Sequence, residues 1–243
     1  MRDEMLKMFE GKGKGEEFVF LRLAGWVILG IVLLSMGCQT GPRIGDYPLG
    51  ADYRPENVHL AAAKIPDRVR RVAVLPMTVS EEHSDAIAGR DVLEPIYQSE
   101  LDKVTTFEVV RVTPQQMKDL TGRPFWRADD EFPESFLPGL RKALACEAIL
   151  FSELTRYHAY PPIAVGWSMK LVDVHDARIW WAADEVFDSA ERSVVNSARR
   201  FELEHQKYYK AAPLLADSRT VLSSPRRFGR YSVNALLETL PER

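Results

Sequence analysis

At 243 residues with 46% hydrophobic positions, the chain is long enough to bury a core, which excludes a disordered or fibrous polypeptide. Its 32 lysines and arginines against 35 acidic residues leave a formal charge of -3, so no basic field directs it to nucleic acid. Two cysteines, Cys38 and Cys146, exclude a disulfide framework.

Residues 1–37 read as a lipoprotein signal peptide. Leu23 to Met36 is an uncharged apolar run of 14 residues, shorter than a bilayer-spanning helix and of the length of a secretory signal core. Lys7, Lys12, Lys14 and Arg22 supply the positive flank, diluted by Glu10, Glu16 and Glu17. The long leader leaves Met5 and Met8 as alternative starts. Leu34-Ser35-Met36-Gly37-Cys38 is similar to a lipobox, with the small Gly37 before the cysteine and Ser35 where leucine is usual. The expectation is cleavage after Gly37 and lipid on Cys38. A rival reading keeps the segment as an uncleaved anchor extended back over Phe18 to Leu21, with Arg22 snorkelling. Either way the domain that follows stands outside the cytoplasm. Gln39, in place of the Asp that favours inner-membrane retention in such lipoproteins, points to the outer membrane facing the periplasm if the cell has two membranes. Gly11 to Gly15 lacks the spacing and final Ser or Thr of a phosphate loop and reads as leader.

Residues 38–67 carry repeated Gly and Pro and read as a flexible tether, with a brief helix possible over Val58 to Ile65. The domain is expected over 68–243. Val72 to Leu75 is apolar on both faces and predicts a central strand ended by Pro76. Leu93, Tyr97, Leu101 and Val104 share a helical face. That helix starts near Asp91, with Pro95 in its first turn, or runs from Asp85 and kinks at Pro95; the first is preferred. Phe107 to Val112 alternates as a strand. Thr113-Pro114 is a helix start, and that helix stops at Gly122. Residues 122–134 read as a loop with exposed-looking Phe125 and Trp126 beside Asp129, Asp130 and Glu131. This is either a partner-binding loop or acidic cation site, or a surface loop pinned by its aromatics.

Ser135 to Cys146 is the next helix, with Phe136, Leu140 and Leu144 on one face. Ala148 to Leu154 is a buried strand. Tyr157, Tyr160, Pro161 and Pro162 form a proline-stiffened link. Val165 to Val174 alternates strictly and returns as Ile179 to Ala183 after a turn at His175-Asp176-Ala177-Arg178. A long helix from Ser189 and a last helix over Phe228 to Leu240 complete the chain. The fold class is therefore α/β: a single domain after a signal and tether, with a mixed sheet of about 4–5 strands flanked by helices.

No constellation for catalysis stands out. Glu202-x-x-His205 has the spacing of a di-iron ligand pair but no second copy, and reads as a solvated helix face. Cys146 sits between apolar flanks and reads as a buried inert thiol. No serine elbow, zinc spacing or dinucleotide fingerprint is present. No cofactor, metal or small-molecule substrate is indicated.

Several segments, in order, resemble a group of extracytoplasmic lipoproteins: the curli-secretion lipoprotein (CsgG), the penicillin-binding-protein activator lipoprotein (LpoB) and the N-terminal domain of the Tol-system translocation protein. They are Arg71 to Pro76, Phe107 to Val110, Cys146 to Leu154, Leu171 to Asp173 and Ile179 to Ala182. The resemblance covers roughly residues 68–200 and implies the fold and the compartment. The group's usual hairpin glycine is replaced here by Ala177-Arg178, so a longer or differently shaped turn is expected. The long alternating strands of the pore-forming member have no counterpart. The group has no shared catalytic site to carry over. The function expected is a non-enzymatic envelope lipoprotein that binds a protein partner, as assembly factor or activator. Alternatives are a subunit of an outer-membrane secretion assembly and, less favoured, an envelope hydrolase.

Overall fold

The computed structural model describes residues 50–80, 85–206 and 218–243. The signal segment and Cys38 lie outside the described residues. The strands are β1 (Val58–Leu60), β2 (Arg71–Val74), β3 (Thr78–Val79), β4 (Glu108–Arg111), β5 (Ala148–His158), β6 (Ala164–Asp173) and β7 (Ile179–Asp188). The helices are α1 (Asp85–Leu101), α2 (Pro114–Thr121), α3 (Phe136–Leu144), α4 (Arg192–Gln206) and α5 (Pro225–Leu237), with a 3-10 turn over Ser218–Ser223.

All seven strands form one mixed sheet of order β1-β7-β6-β5-β2-β4. The α/β class is as expected, and the sheet is larger than the four or five strands anticipated. β2 pairs in parallel with β4 and β5, and β5, β6, β7 and β1 pair antiparallel. β3 continues the β2 side of β5: Val74 faces Leu150 and Thr78 faces Glu153. Four steps on one strand thus match three on the other, and Pro76, which has no N–H for the ladder, falls in the gap.

The extra strand at the far edge is β1. Where a brief helix and free tether are expected, Val58, His59 and Leu60 pair with Ala183, Ala182 and Trp181. The edge of β7 offers unpaired backbone groups, and pairing satisfies them at the cost of ordering a short, otherwise featureless stretch. Ile65 and Val69 are buried in the core behind it. The part of the expected tether from residue 50 on is therefore part of the domain.

Helix α1 begins at Asp85, so the longer of the two readings holds, with Pro95 inside it. Pro95 is exposed, and Leu93, Tyr97 and Leu101 are fully buried on the opposite face. Packing of that face outweighs one lost backbone hydrogen bond. Helix α2 is capped as expected: Thr113 Oγ1 accepts the Gln116 N–H at 3.2 Å, and Gln116 Oε1 accepts the Thr113 N–H at 2.9 Å. Gly122 ends it in the left-handed region at φ 83°.

Two alanines also hold left-handed backbone, Ala145 after α3 at φ 50° and Ala177 in the β6–β7 turn at φ 57°. The missing hairpin glycine thus leaves an alanine in the conformation a glycine would take, in a five-residue turn over 174–178. Both alanines are exposed. Ala145→Gly and Ala177→Gly are each expected to raise stability by about 0.5–1 kcal/mol, as relief of the left-handed strain exceeds the added unfolded-state entropy. Urea midpoints of the two variants check this.

The sheet has two unlike faces. One is covered by α1, α4 and α5 and carries the larger core, which includes Val72, Leu150, Leu154, Val165, Trp167, Met169, Leu171, Trp181 and Phe187. The other carries a smaller core beneath α2, α3 and the 122–134 loop, built from Ala73, Leu75, Ile149, Phe151, Trp126, Phe136 and Leu140.

Candidate functional site

The second face is only half covered. α2, α3 and the loop lie over β2, β4 and β5, and among the described residues no helix packs over the same face of β6 and β7. The register places three cross-strand rows there. Glu153, Ser168 and Asp184 form one row; Phe151, Lys170, Ala182 and His59 the next; Arg156, Gly166 and Val186 the third. On β6 the core-facing residues Val165, Trp167, Met169 and Leu171 are buried, while Ser168, Lys170 and Val172 between them are half-buried. The strict alternation of Val165 to Val174 is the physical origin of this open face.

The loop borders the open area. Trp126 packs among Phe132 at 5.8 Å and Phe136 at 4.8 Å, and Phe132 reaches Phe151 of β5 at 5.6 Å. Trp126 is 5% exposed and its Nε1–H donates to Thr121 Oγ1 at 2.8 Å. This corrects the expectation of an exposed aromatic, because the ring closes the smaller core and its polar edge has a partner within the chain. Phe125 is half-buried, with the Arg90 guanidinium 5.2 Å from its ring centre. The candidate partner pair is thus split: Trp126 belongs to the core, and Phe125 alone reaches the surface.

Two of the loop's acids, Asp129 and Asp130, are paired with cations. Asp129 pairs with Lys170 of β6, and Asp130 accepts from Arg123 at 3.2 Å and from the Arg127 N–H at 3.0 Å. Arg127 donates to the Val79 carbonyl at 2.6 Å and lies 3.6 Å from Glu153. Burial pushes the Glu153 carboxyl above its usual range; Arg127 opposes this, and Asp129, Asp184 and Asp130 add to it. A cavity of about 10 Å³ between Thr78, Asp129, Ser152, Ser168 and Lys170 has room for no more than a water. Among the described residues no group of three His, Cys, Asp or Glu is placed to hold a metal ion. Arg70, Phe107, Glu108, Asp67, Thr105 and Arg243 line a wider, open concavity of about 580 Å³ at the start of β2 and β4, where two arginines meet two acids.

The remaining candidates resolve individually. Cys146 is buried and free, and burial raises its thiol above the usual range, which suppresses the reactive thiolate. Glu202 is 8% exposed and accepts from Arg227 at 2.6 Å, so the expected solvated helix face is instead an interface with α5. His205 bonds the Phe201 carbonyl of its own helix through Nδ1 at 2.9 Å. His175 lies in the β6–β7 turn with Nδ1 2.9 Å from Arg141.

Sequence reasoning missed Asp173, which is fully buried at the end of β6. It accepts from Arg68 at 2.6 Å, the His175 N–H at 2.7 Å and Trp180 Nε1 at 3.0 Å. Burial alone would raise its carboxyl, but the bonds from Arg68, His175 and Trp180 outweigh it and hold it below the usual range.

No protein-family model and no curated protein matches the chain. The chain is similar to several solved structures. The PelC dodecamer from Paraburkholderia phytofirmans is 14% identical, over 76% of this chain and 98% of that one, with a TM-score of 0.40. Lipoprotein GNA1162 from Neisseria meningitidis is 15% identical, over 58% of this chain and 99% of that one, with a TM-score of 0.38. The LpoB C-terminal domain from Escherichia coli is 17% identical, over 49% of this chain and 82% of that one, with a TM-score of 0.32. Likeness at this level carries no activity or partner from one protein to another.

Proposed function

We propose that the chain is a membrane-anchored envelope lipoprotein whose domain binds a protein partner and performs no catalysis. In this reading residues 1–37 are the signal, Cys38 carries lipid, and the short stretch up to residue 49 links it to the domain. Where the cell has two membranes, the domain faces the periplasm from the outer membrane. The observation that carries the binding role is the half-covered sheet. Ser168, Lys170, Ala182 and Asp184 present a flat surface of small and charged side chains, bordered by the loop where Asp129 pairs with Lys170. A flat surface of this kind offers the polar, solvent-accessible contacts of an interface rim, whereas small molecules favour concave apolar sites.

The test places a photo-crosslinking residue at Ser168 or Asp184 of the full chain in intact cells, with a control at the exposed Asp176. The expected outcome is a discrete adduct with an envelope protein from both sheet positions and none from the control. Equal labelling at all three positions, or none at any, overturns the binding role. Anchoring is checked by Cys38→Ala, which is expected to release the chain from the membrane fraction.

A further inference from the structure

The two most exposed large apolar side chains of the described residues stand at one end of the sheet. Tyr160, in the β5–β6 turn, is 76% exposed, and Ile87, in the first turn of α1, is 58% exposed. Pro161 and Pro162 beside Tyr160 are also exposed. Gly89 brings α1 onto this end: a Cβ there would lie 2.8 Å from the Tyr157 Cβ and overlap its ring. Arg156 of β5, Arg192 at the start of α4 and Arg226 at the start of α5 are exposed around the turn. Asp85, Asp188 and Glu191 stand at the same end, with Asp188 accepting the Ala190 N–H.

The chain also passes this end as it enters the domain, from Gly50 and Ala51, which accept from Arg200 and Asn196 in the third and second turns of α4. Tyr53 packs 5.5 Å from Phe187 and donates its N–H to Ser197 Oγ at 2.7 Å; Val58 then pairs with Ala183 further along β7. Phe187 and Asp188 pair with Val165 and Ala164, next to the β5–β6 turn. Cys38 precedes Gly50 by 12 residues, a stretch that spans at most about 40 Å even when fully extended.

We infer that this end of the domain rests on the lipid surface that holds the anchor, with Tyr160, Pro161, Pro162 and Ile87 in the headgroup layer and Arg156, Arg192 and Arg226 against anionic headgroups. The inference rests on the anchoring reading above. Three observations converge. A protruding tyrosine with an apolar body and polar tip suits the membrane–water interface. Arginines beside it gain from a negative surface, each by roughly fivefold in affinity. And the chain leading back to Cys38 passes close to this end at Tyr53, with a link long enough to keep these side chains within reach of the bilayer.

The test uses the full lipidated chain reconstituted into phosphatidylcholine vesicles with a minority of phosphatidylglycerol. Tyr160→Cys and, separately, Ile87→Cys carry an environment-sensitive NBD label, and Ala177→Cys in the opposite turn is the control. Brominated lipids are expected to quench and blue-shifted emission to mark the labels at 160 and 87, with neither effect at 177. Neutralising Arg156 and Arg226 together to Gln is expected to weaken the contact by roughly thirtyfold and abolish most of the quenching. If the chain floats with the vesicles but the labels at 160 and 87 behave like that at 177, the contact is wrong and the anchor stands. If the lipidated chain does not float at all, both are overturned. A protein crosslink from residue 160 in cells, without lipid quenching, assigns this end to a protein and also overturns the inference.

Discussion

Replacing Trp167 by alanine is expected to lower the unfolding free energy by about 3–5 kcal/mol. Trp167 is completely buried on β6, in the layer between the sheet and two helices. Its ring stacks on Tyr97 of α1 with centroids 6.1 Å apart, and its Nε1–H donates to Ser232 Oγ of α5 at 2.9 Å. Ser232 in turn donates to the Gly229 carbonyl at 2.9 Å, so the serine keeps a partner when the indole is lost. The dominant cost is the cavity and the lost contact between the sheet and both helices. Trp167→Phe keeps most of the volume and loses the indole bond, and is expected to cost about 1–2 kcal/mol. Urea denaturation distinguishes the two; a loss below that of Trp167→Phe for the alanine variant would contradict this picture of the core.

Removal of the Asp173 carboxylate is expected to cost about 3–5 kcal/mol, because the change strips the partner from several donors at once. Trp180, which is 7% exposed, and the His175 N–H lose a buried acceptor in Asp173→Ala, and Arg68 loses its ion pair. The same geometry predicts a pH dependence. The folded-state carboxyl is held below its unfolded value near 4, chiefly against burial, by the bonds from Arg68, His175 and Trp180. Its contribution is therefore fully present above pH 4 and is lost as the pH falls from there through the lowered folded value. Asp173→Asn is expected to flatten that part of the acid limb, measured as unfolding free energy against pH. An acid limb identical to that of the parent chain would show that Asp173 does not carry it.

Much of the fold is legible where the signal is local. Thr113, Pro114, Gln116 and Gly122 set the ends of α2 by capping and left-handed backbone, and all four act within a few residues of themselves. The alternation along Val165 to Val174 correctly separates a core face from a second face, and contains the open surface of Ser168 and Lys170. What periodicity cannot show is how much of that second face a helix covers. In sequence Trp126 reads as exposed because its neighbours are polar and proline-rich; its burial depends on Phe132 and Phe136 arriving from the next turn of the chain. Glu202 reads as solvated because its helix is polar; its burial depends on Arg227, 25 residues on. Asp173 closes a strand that reads as ordinary, and its donors come from residues 68, 175 and 180.

Chain-local signals suffice for the apolar run ending at Gly37-Cys38, the type of nearly every element and the α/β class. Each of these rests on chain-local chemistry: hydrophobic length, side-chain period, capping groups and proline. The rest follows from long-range packing. It drew residues 58–60 onto β7 as a seventh strand, left one face of β6 and β7 without a covering helix among the described residues, and set Tyr160 and Ile87 at a common end. These outcomes depend on which backbone edges find partners and which side chains meet across long sequence separations, and neither is encoded in any single stretch.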